Sequence, residues 1–480
     1  MTHNDLYWTE EKLKSLYHDS VDVIIEACHL STRYEDSVIL VHANGLCDSG
    51  QIRETVLPEL TRYYEEKTQT LDRLQAKLSL VAYTSTPSIE DIDEAVFEGD
   101  LFLFFSQEQV YYRMCISNLP TRSPDESSTE ISIKGPKDGF TEDITTNIAL
   151  IRKRIRSHSL HVKEFVLGKR TKTKLALMYF TDIINPEILT KVQAGLKSIN
   201  TDGVFSINQL EEILTGSRFK LLPLLDYTGR ADYVVNSLLS GRFVIVLDGN
   251  PMVIVGPAGL SLLLKSPEDI HFNYAYVSFA RLIRIVSLFF SIFLPALWVS
   301  LMAFHQDQIP FRIMATISVS RLGLPFPSQI EMFILLMLLE IFREAGVRLP
   351  NAIGQTLTSI GGLIIGDAAI RAGLVSPSVV VIGAITAVSS VTLVNQSLTS
   401  IVSIMRFFFF FAACFLGMYG VILGIVLFIA YMASQKSFGV NFLAPLSPLL
   451  IRTLIPSFLR LPWFMLKRRP GSLEPQDKDR

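Results

Sequence analysis

The sequence predicts an α/β N-terminal region of two related subdomains, followed by an all-α polytopic membrane domain. The main observation is a change in composition: up to about Tyr276, charged and apolar residues are mixed as in soluble α/β proteins. After Arg284 the acidic residues nearly vanish until the C-terminal tail. A charge at the centre of an inserted helix costs about 2.5–3.5 kcal/mol, so this depletion is expected of membrane segments. The second observation is a repeated order of strand and helix patterns within the polar half.

The polar half contains two pairs of matching segments. Residues 21–46 read strand, polar turn, strand, and residues 160–181 repeat that order; a helical stretch follows each. Residues 94–114 then match residues 236–256, and in each a glycine opens an apolar strand. In the second of these, two apolar runs joined by Asp-Gly-Asn predict a hairpin. We infer a duplication; the alternative is that this common order of elements matches by chance.

These patterns divide the chain into five regions. We predict subdomain 1 in residues 1–117, a disordered linker in 118–140, subdomain 2 in 141–275, a transmembrane helical domain of four to six segments in 276–435, and a basic cytoplasmic tail in 436–480. The linker prediction rests on composition, because a segment rich in Ser, Pro, Thr, Asp, Glu and Gly buries too little apolar surface to order itself.

Charged residues of subdomain 2 are candidates for a subunit interface. Arg152 and Arg154 belong to a basic run at 152–156, and Arg230 and Asp232 lie further along the same subdomain. A basic run is usually a solvated face. The alternatives are contacts with anionic lipid headgroups or with an acidic neighbouring subunit.

Composition and motifs argue against several functions. The formal net charge is −2, so no general basic field suggests nucleic-acid binding. The sequence has no phosphate-binding loop, dinucleotide fingerprint, zinc-protease motif or serine-hydrolase motif, so nothing supports an enzyme. The four cysteines are scattered and the histidines complete no zinc spacing, so we expect neither a cofactor nor a metal. The first residues lack the apolar core of a signal peptide, and we expect the polar half to stay in the cytoplasm.

Several apolar segments make up the second half. Residues 285–304 carry no charge and can cross about 30 Å of hydrocarbon, and arginines just before them place their start in the cytoplasm. Residues 330–342 form either a second crossing or an interfacial helix. Residues 377–405 and 407–433 are the clearest apolar segments, with Arg406 between them. Because the tail is basic and therefore cytoplasmic, the number of crossings is even: four with one re-entrant segment, or six.

The segment at 351–367 combines an apolar face with a small and polar one. The second face comprises Gln355, Ser359, Gly362, Gly366 and Asp367. A membrane helix should turn such a stripe towards protein or water, because lipid cannot satisfy its polar groups. One interpretation is tight packing inside a bundle. The other is a re-entrant, pore-lining element in which Leu363 forms a hydrophobic gate.

A few charged residues remain within the apolar half. They include Glu331, Glu340, Arg343, Glu344, Arg348 and Arg371, together with Asp367. The carboxylates could give cations a favourable ring of charge. Local pairing is the alternative, since Glu340 and Arg343 are three residues apart, and Asp367 and Arg371 four apart, on a helix.

A series of short motifs occurs in a fixed order along the chain. They include residues 147–154 (NIALIRKR), 241–251 (GRFVIVLDGNP), 266–269 (SPED), 324–327 (LPFP), 343–350 (REAGVRLP), 366–369 (GDAA) and 437–439 (SFG). Together these motifs resemble the A-subunit family of spore germinant receptors, the GerA family. The match is close over residues 141–470 and looser before that. The chain departs from the family at residues 228–232, where TGRAD replaces the usual T-E-R-P-D.

The resemblance implies a specific function. Such A subunits lie in the inner membrane of dormant spores, surrounded by membrane lipid. They assemble with a transporter-like B subunit, which binds the nutrient, and with a lipoprotein C subunit. The A subunit is thought to form a homo-oligomer around a path for monovalent cations. A second hypothesis is a transporter-like or scaffold subunit whose partner conducts, and a third, a membrane-bound enzyme, has no motif behind it.

Overall fold

A computed structural model of the protein describes residues 8–29, 37–65, 70–118, 130, 132–216, 221–347 and 367–479. Two five-stranded antiparallel sheets with flanking helices precede a bundle of long helices. The predicted fold class, an α/β region followed by a helical domain, is therefore confirmed.

The first sheet forms the centre of subdomain 1. Its strands are β1 (Val23–His29), β2 (Ser37–Ala43), β3 (Val81–Ala82), β4 (Leu101–Phe105) and β5 (Val110–Met114), in the spatial order β1-β2-β4-β5-β3. The helices are α1 (Glu10–Leu16), α2 (Ser49–Gln51), which continues through a π-helical stretch (Ile52–Val56) into α3 (Leu57–Glu65), then α4 (Leu71–Leu78) and α5 (Ile89–Glu98).

The second sheet forms the centre of subdomain 2. Its strands are β6 (Leu160–Leu167), β7 (Thr173–Phe180), β8 (Asp226–Thr228), β9 (Phe243–Leu247) and β10 (Val253–Gly256), in the order β6-β7-β9-β10-β8. The helices are α6 (Ile144–Arg152), α7 (Pro186–Ser198), α8 (Ile207–Thr215), α9 (Ala231–Leu239) and α10 (Leu260–Leu263). The two sheets have the same strand order, so the relation between the subdomains inferred from the sequence is confirmed.

The second sheet is buried on both faces. In its strand β9, Phe243 and Ile245 belong to the core under one face, and Val244 and Val246 to the core under the other. Side chains alternate between the two faces of a strand, so an unbroken apolar run indicates cover on both sides. The core that contains Val244 and Val246 continues into the helical bundle and includes Phe409. Subdomain 2 and the bundle therefore share one apolar core.

The segment that precedes α6 is ordered over residues 132–140, which corrects the prediction of a disordered linker there. The backbone N–H groups of Ile133 and Lys134 each donate to the carboxylate of Glu268 at 3.2 Å. Composition did not indicate this order because Glu268 is 135 residues away along the chain from Ile133. Most of the remaining predicted linker lies outside the described residues.

The apolar half folds into a helical bundle. Its helices are α11 (Tyr274–Phe304), α12 (Phe311–Ser320), α13 (Ser328–Val347), α14 (Pro377–Val391) and α15 (Gln396–Ser434), with a short helix at 367–371. Among the described residues, α11 and residues 397–434 of α15 are long and apolar enough to cross a membrane. This finding supports a membrane association.

Helix α15 reverses direction at Gly417, where φ is +59° and ψ is −143°. Glycine adopts positive φ without steric cost, so it suits such a break. The two arms pack against each other, with the rings of Phe409 and Phe428 6.0 Å apart. A Cβ added to Gly424 would lie 2.7 Å from the Phe409 ring, so glycine there permits the close approach of the arms.

The predicted division of the last two apolar segments was wrong. Residues 377–405 do not form one segment, because α14 ends at Val391 and Asn395 caps the start of α15. Arg406, expected between two segments, lies inside the first arm of α15. The reversal falls instead at Gly417, which no polar loop marks.

The bundle has a near end, beside subdomain 2, and a far end. Helix α11 leaves subdomain 2 directly, and its last residue, Phe304, lies against Gly417 at the far end. The second arm of α15 returns to the near end, where the Tyr431 hydroxyl accepts the Leu221 N–H at 3.1 Å. The start of α11 and the end of α15 therefore lie on the same side of the bundle.

The C-terminal residues fold back onto subdomain 2. A small hairpin of β11 (Lys436–Ser437) and β12 (Val440–Asn441) is followed by α16 (Ile451–Phe458). Beyond α16, Arg469 Nε donates to the Leu239 carbonyl at 2.9 Å. The Gln476 N–H donates to the Ile183 carbonyl at 3.0 Å. The predicted tail is thus part of the folded structure.

Candidate functional site

The polar-faced segment predicted from the sequence falls almost entirely outside the described residues. This applies to Gln355, Ser359, Gly362, Leu363 and Gly366, and also to Arg348. Asp367 is described, and its Oδ2 lies 2.8 Å from Arg371 Nε across one helical turn. The side chains of Asp367 and Arg371 are 59% and 79% exposed. Asp367 and Arg371 therefore form the local ion pair that was the alternative interpretation, and they do so at the surface of the single chain.

Glu331 is fully buried at the far end, where α12, α13 and α14 meet. Its Oε1 lies 3.0 Å from Arg321 Nη2. Its Oε2 accepts the backbone N–H of Ser376, the N-cap residue of α14, at 2.9 Å. The positive end of a helix dipole and a hydrogen-bonded counter-charge together make a buried carboxylate tolerable. The sequence had not singled out Arg321 as the partner.

The other charged residues of α13 lie towards the near end. Glu340 and Arg343 form an ion pair across one turn, as their spacing allows. Arg343 Nη1 also donates to the Ser403 hydroxyl of α15 at 2.5 Å, whereas Glu344 is exposed. Glu331 and Glu340 are about 14 Å apart along the helix at 1.5 Å per residue. A single chain therefore does not bring these carboxylates together at one level.

Arg406 is a buried charge halfway along the first arm of α15. Its Nε donates to the Ser291 carbonyl of α11 at 2.8 Å. That carbonyl lacks its usual helical donor because the residue four positions later is Pro295, which has no N–H. Arg406 Nη2 has no hydrogen-bond partner among the described residues. Arg406 is the only charged residue of α15, and that isolation is the sequence signal by which it could have been found.

Asp269 fixes the start of α11 to subdomain 2. Its carboxylate lies 2.8 Å from Arg281 Nε and 3.0 Å from Arg284 Nη2. Asp269 is held by a capping box with Ser266 in the 3₁₀ turn Pro267–Ile270. The three charged side chains are between 6% and 12% exposed. The Ser-Pro-Glu-Asp motif therefore builds a buried clamp at the base of the bundle.

Asp226 connects the edge strand β8 to the loop between α14 and α15. It accepts hydrogen bonds from Tyr233 Oη at 2.7 Å and from Asn395 Nδ2 at 2.6 Å. Asn395 Oδ1 in turn accepts the Leu398 N–H at 3.0 Å and so caps α15. Burial raises the pKa of Asp226 from its ordinary value of 3.8 to about 6, against the opposing effect of these hydrogen bonds and of Arg242. Sequence reasoning missed this contact because its partners are far apart in the chain.

Arg230 and Asp232 belong to an ion network within subdomain 2. Arg230 Nη2 lies 2.7 Å from Asp232, and its Nη1 bonds Glu268. His271 Nε2 lies 2.8 Å from Asp232. Burial opposes ionisation of Asp232, but hydrogen bonds from Arg230 and His271 lower its pKa below the ordinary value. The interface role predicted for Arg230 is not supported, because its side chain is buried and bonded to its own chain.

Arg152 joins the two subdomains, which corrects its predicted place at a subunit interface. Its Nε lies 2.6 Å from Asp22, and its guanidinium lies 4.3 Å from the centre of the Phe97 ring. With 1% of its side chain exposed, Arg152 has no surface to offer a neighbour. Arg154 pairs with Asp138 at 2.5 Å and is partly exposed, so an interface role for Arg154 stays a prediction.

The described polar groups thus occupy three levels of an apolar bundle. Glu331 lies at the far end, Arg406 in the middle, and Asp226 and Asp269 at the near end. Within the described ranges, no three His, Cys, Asp or Glu side chains are arranged to hold a metal ion. The arrangement places charged side chains within an apolar bundle and couples that bundle tightly to subdomain 2.

The comparisons with known proteins agree with one another. A family model described as Bacillus/Clostridium GerA spore germination protein matches residues 11–472. Spore germination protein XA of Bacillus anthracis is 42% identical over 92% of this chain and 91% of that protein. Spore germination protein KA of Bacillus subtilis (strain 168) is 32% identical over 96% of this chain and 85% of that protein. Spore germination protein B1 of the same organism is 35% identical over 92% of each.

One solved structure is similar to part of the chain. It is the N-terminal domain of the A subunit of the Bacillus megaterium spore germinant receptor GerK3, which is 24% identical. The match covers 52% of this chain and 92% of that chain, with a TM-score of 0.40. The family match, by contrast, spans both sheets, the bundle and most of the C-terminal segment. On that match and on the relatives above 30% identity, the chain belongs to the GerA family of spore germination proteins.

Proposed function

We propose that this protein is the A subunit of a nutrient-responsive spore germinant receptor, and that copies of it form a cation-conducting path in the spore inner membrane. Membership of the family supports the role in germination. The observation that carries the conducting role is the presence of buried charges, Glu331 and Arg406, inside an apolar bundle. Ionisable groups in membrane segments are costly and typically mark ion pathways or contacts with partners.

In the proposed topology the bundle crosses the membrane several times, with both soluble ends in the cytoplasm. The start of α11 and the end of α15 both lie beside subdomain 2. Arg281 and Arg284 at the start of α11 agree with the tendency of basic residues to stay on the cytoplasmic side. An even number of crossings follows from this arrangement.

The proposed path forms between copies of the chain. One face of α14 is exposed and apolar, with Val381, Ile385 and Val388 at helical spacing. This face can meet lipid or a neighbouring subunit. In the homo-oligomer we assign the axis to the predicted polar stripe of Gln355, Ser359, Gly362, Gly366 and Asp367, with Leu363 as a gate that opens by wetting.

Subdomain 2 is the proposed route by which a signal reaches the bundle. Its Asp269 holds the base of α11, and its Asp226 holds the cap residue of α15. A displacement of subdomain 2 by partner subunits would therefore be transmitted to two helices at once. The proposed partners are a transporter-like B subunit, which binds the nutrient, and a lipoprotein C subunit.

The test is reconstitution of the purified full chain in lipid vesicles, with and without the two partner subunits. The proposal predicts an oligomer of the A subunit in neutral detergent and nutrient-dependent K⁺ efflux from vesicles that hold the complete receptor. Complete complexes in which a monomeric A subunit is bound to a conducting partner would favour the alternative, a transporter-like or scaffold subunit.

A further inference from the structure

A large cavity lies at the near end of the bundle, beside the Asp269–Arg281 ion pair. It has a volume of about 1120 Å³ and lies between α9, the base of α11, α16 and the C-terminal residues. Eight basic side chains line it, against the two carboxylates of Asp269 and Glu474. A concave, water-accessible space with this excess of positive charge is suited to an anion.

The inner wall of the cavity is rigid. Arg281 Nε is held by Asp269 at 2.8 Å. Arg460 Nη1 donates to the Phe272 carbonyl at 2.8 Å, and its Nη2 donates to the Ile270 carbonyl at 2.9 Å. These bonds fix the positions of two guanidinium groups before any ligand binds, which lowers the entropic cost of binding.

The outer rim of the cavity carries exposed charge and exposed apolar surface together. Lys467 and Arg468 line the cavity and are exposed. Just before them, Trp463, Phe464 and Met465 are 63%, 70% and 56% exposed. A tryptophan and a phenylalanine beside two basic residues are typical of a segment that lies at a membrane–water interface.

Helix α16 has the same two-sided character. Ile451 and Ile455, one turn apart, are exposed. Thr453 and Ser457, also one turn apart, line the cavity. Residues four apart share a helix face, so α16 turns hydroxyl groups to the cavity and aliphatic side chains to its surroundings.

The cavity lies at the level where the bundle begins. Arg460 N–H donates to the Ser278 hydroxyl, in the first turns of α11, at 3.0 Å. Tyr274, Tyr276 and Phe279 on the same turns are exposed. Exposed aromatic side chains collect at the headgroup level of a bilayer, so a phospholipid headgroup would reach this cavity from the side.

We propose that this cavity binds the phosphate group of an anionic phospholipid, whose acyl chains lie along the apolar side chains of α16 and of the Trp463–Met465 turn. A phosphate can accept several charge-assisted hydrogen bonds from lysine and arginine at once. The apolar rim favours a lipid over a soluble phosphate, which would gain nothing from it. The inference rests on the proposed function only in taking the bundle to lie in a membrane.

A bound phosphate would also act on the junction between subdomain 2 and the bundle. Arg281 lines the cavity and is bonded to Asp269, so the anion would add a second counter-charge beside the clamp. Lipid binding would therefore stabilise the contact through which subdomain 2 holds α11.

The test compares the full chain with a Lys467→Ala/Arg468→Ala variant in neutral detergent, by native mass spectrometry with added phosphatidylglycerol or phosphatidylcholine. The control is Lys169→Ala/Arg170→Ala, which removes the same charges from the exposed β6–β7 loop. Each basic residue near an anionic lipid strengthens binding about fivefold, so we expect phosphatidylglycerol to bind the cavity variant about thirtyfold more weakly. The control variant should bind as the unmodified chain does, and phosphatidylcholine should bind all three weakly.

Equal affinity of the cavity variant and the control for phosphatidylglycerol would overturn the proposal. A third arm adds inorganic phosphate without lipid. Thermal stabilisation by inorganic phosphate equal to that given by phosphatidylglycerol would show a soluble anion as the ligand and overturn the assignment to lipid. Lipid binding is measured in detergent and does not depend on cation flux. Loss of lipid binding with cation flux retained would therefore count against the lipid site alone, and loss of cation flux with lipid binding retained would count against the proposed function alone.

Discussion

Replacing Asp269 with Asn should destabilise the junction between subdomain 2 and the bundle by about 3 kcal/mol. Asp269 is the shared counter-charge of Arg281 and Arg284, and the three side chains are between 6% and 12% exposed. Removing one partner of a buried ion pair costs about 3–5 kcal/mol, because the remaining charge stays out of water without compensation. The asparagine keeps the shape and one hydrogen-bond acceptor, which places the expected loss at the lower end of that range.

The measurement is urea unfolding of the full chain in neutral detergent, followed by circular dichroism. The matched control is Asp202→Asn, because the side chain of Asp202 is 75% exposed and lies 3.8 Å from an exposed arginine. Exposed pairs contribute about 0–1 kcal/mol, so the control should unfold close to the unmodified chain. A loss for Asp269→Asn no larger than that of the control would refute the reasoning, since both arginines would then have adequate solvation without Asp269.

Two further predictions follow from single contacts, and a third from the gate predicted at Leu363. Pro295→Ala restores a backbone N–H that competes with Arg406 for the Ser291 carbonyl. The loss of unfolding free energy caused by Arg406→Leu should therefore be about 1 kcal/mol smaller in the Pro295→Ala background than in the unmodified chain. Additive effects of the two substitutions in a double-mutant cycle would contradict a hydrogen bond from Arg406 to this carbonyl. Because burial raises the pKa of Asp226 to about 6, the folded state binds that proton more tightly than the unfolded chain, and its stability should rise as the pH falls through 6 towards 4. Between pH 7.5 and 5.0 this contribution is about 1 kcal/mol, and Asp226→Asn should abolish it; an unchanged pH dependence of the unfolding free energy would argue against the buried carboxylate. Leu363→Ala should cause leak and premature germination, and normal dormancy in that mutant would remove Leu363 as the gate.

The repeated order of strands in the polar half could be predicted because its signals are local. The strands and turns within 21–46 and 160–181 follow from side-chain alternation and turn composition, and the two sheets have the same strand order. The order of residues 132–140 could not be predicted in this way. The order of this segment depends on Glu268, which is too far away along the chain to be indicated by local composition.

The helical half was harder to divide into helices, because hydropathy indicates which residues avoid water but not where the chain reverses direction. Arg406 was expected to mark a boundary, since a charge is costly inside an apolar segment. It lies within a helix because Pro295, on another helix, leaves the Ser291 carbonyl open to it. The reversal at Gly417 carries no polar residue, so only the backbone conformation reveals it.

In the candidate site, too, contacts between residues close in sequence could be predicted and contacts between distant residues could not. The pairs Glu340–Arg343 and Asp367–Arg371 were among the alternatives because residues three or four apart share a helix face. Arg152 looked like a surface residue in a basic run, whereas its partner Asp22 is 130 residues away. The polar stripe around Leu363 stays a prediction, since it lies outside the described residues.

The most direct test of the proposed cation path is K⁺ efflux from vesicles that contain the purified full chain with Leu363→Ala. The control is Leu322→Ala, the same substitution at a side chain that is 79% exposed. The proposal predicts that Leu363→Ala vesicles lose K⁺ much faster than vesicles with the control, while Cl⁻ is retained. Efflux from Leu363→Ala vesicles equal to that from the control and from protein-free vesicles would contradict a cation path through this subunit.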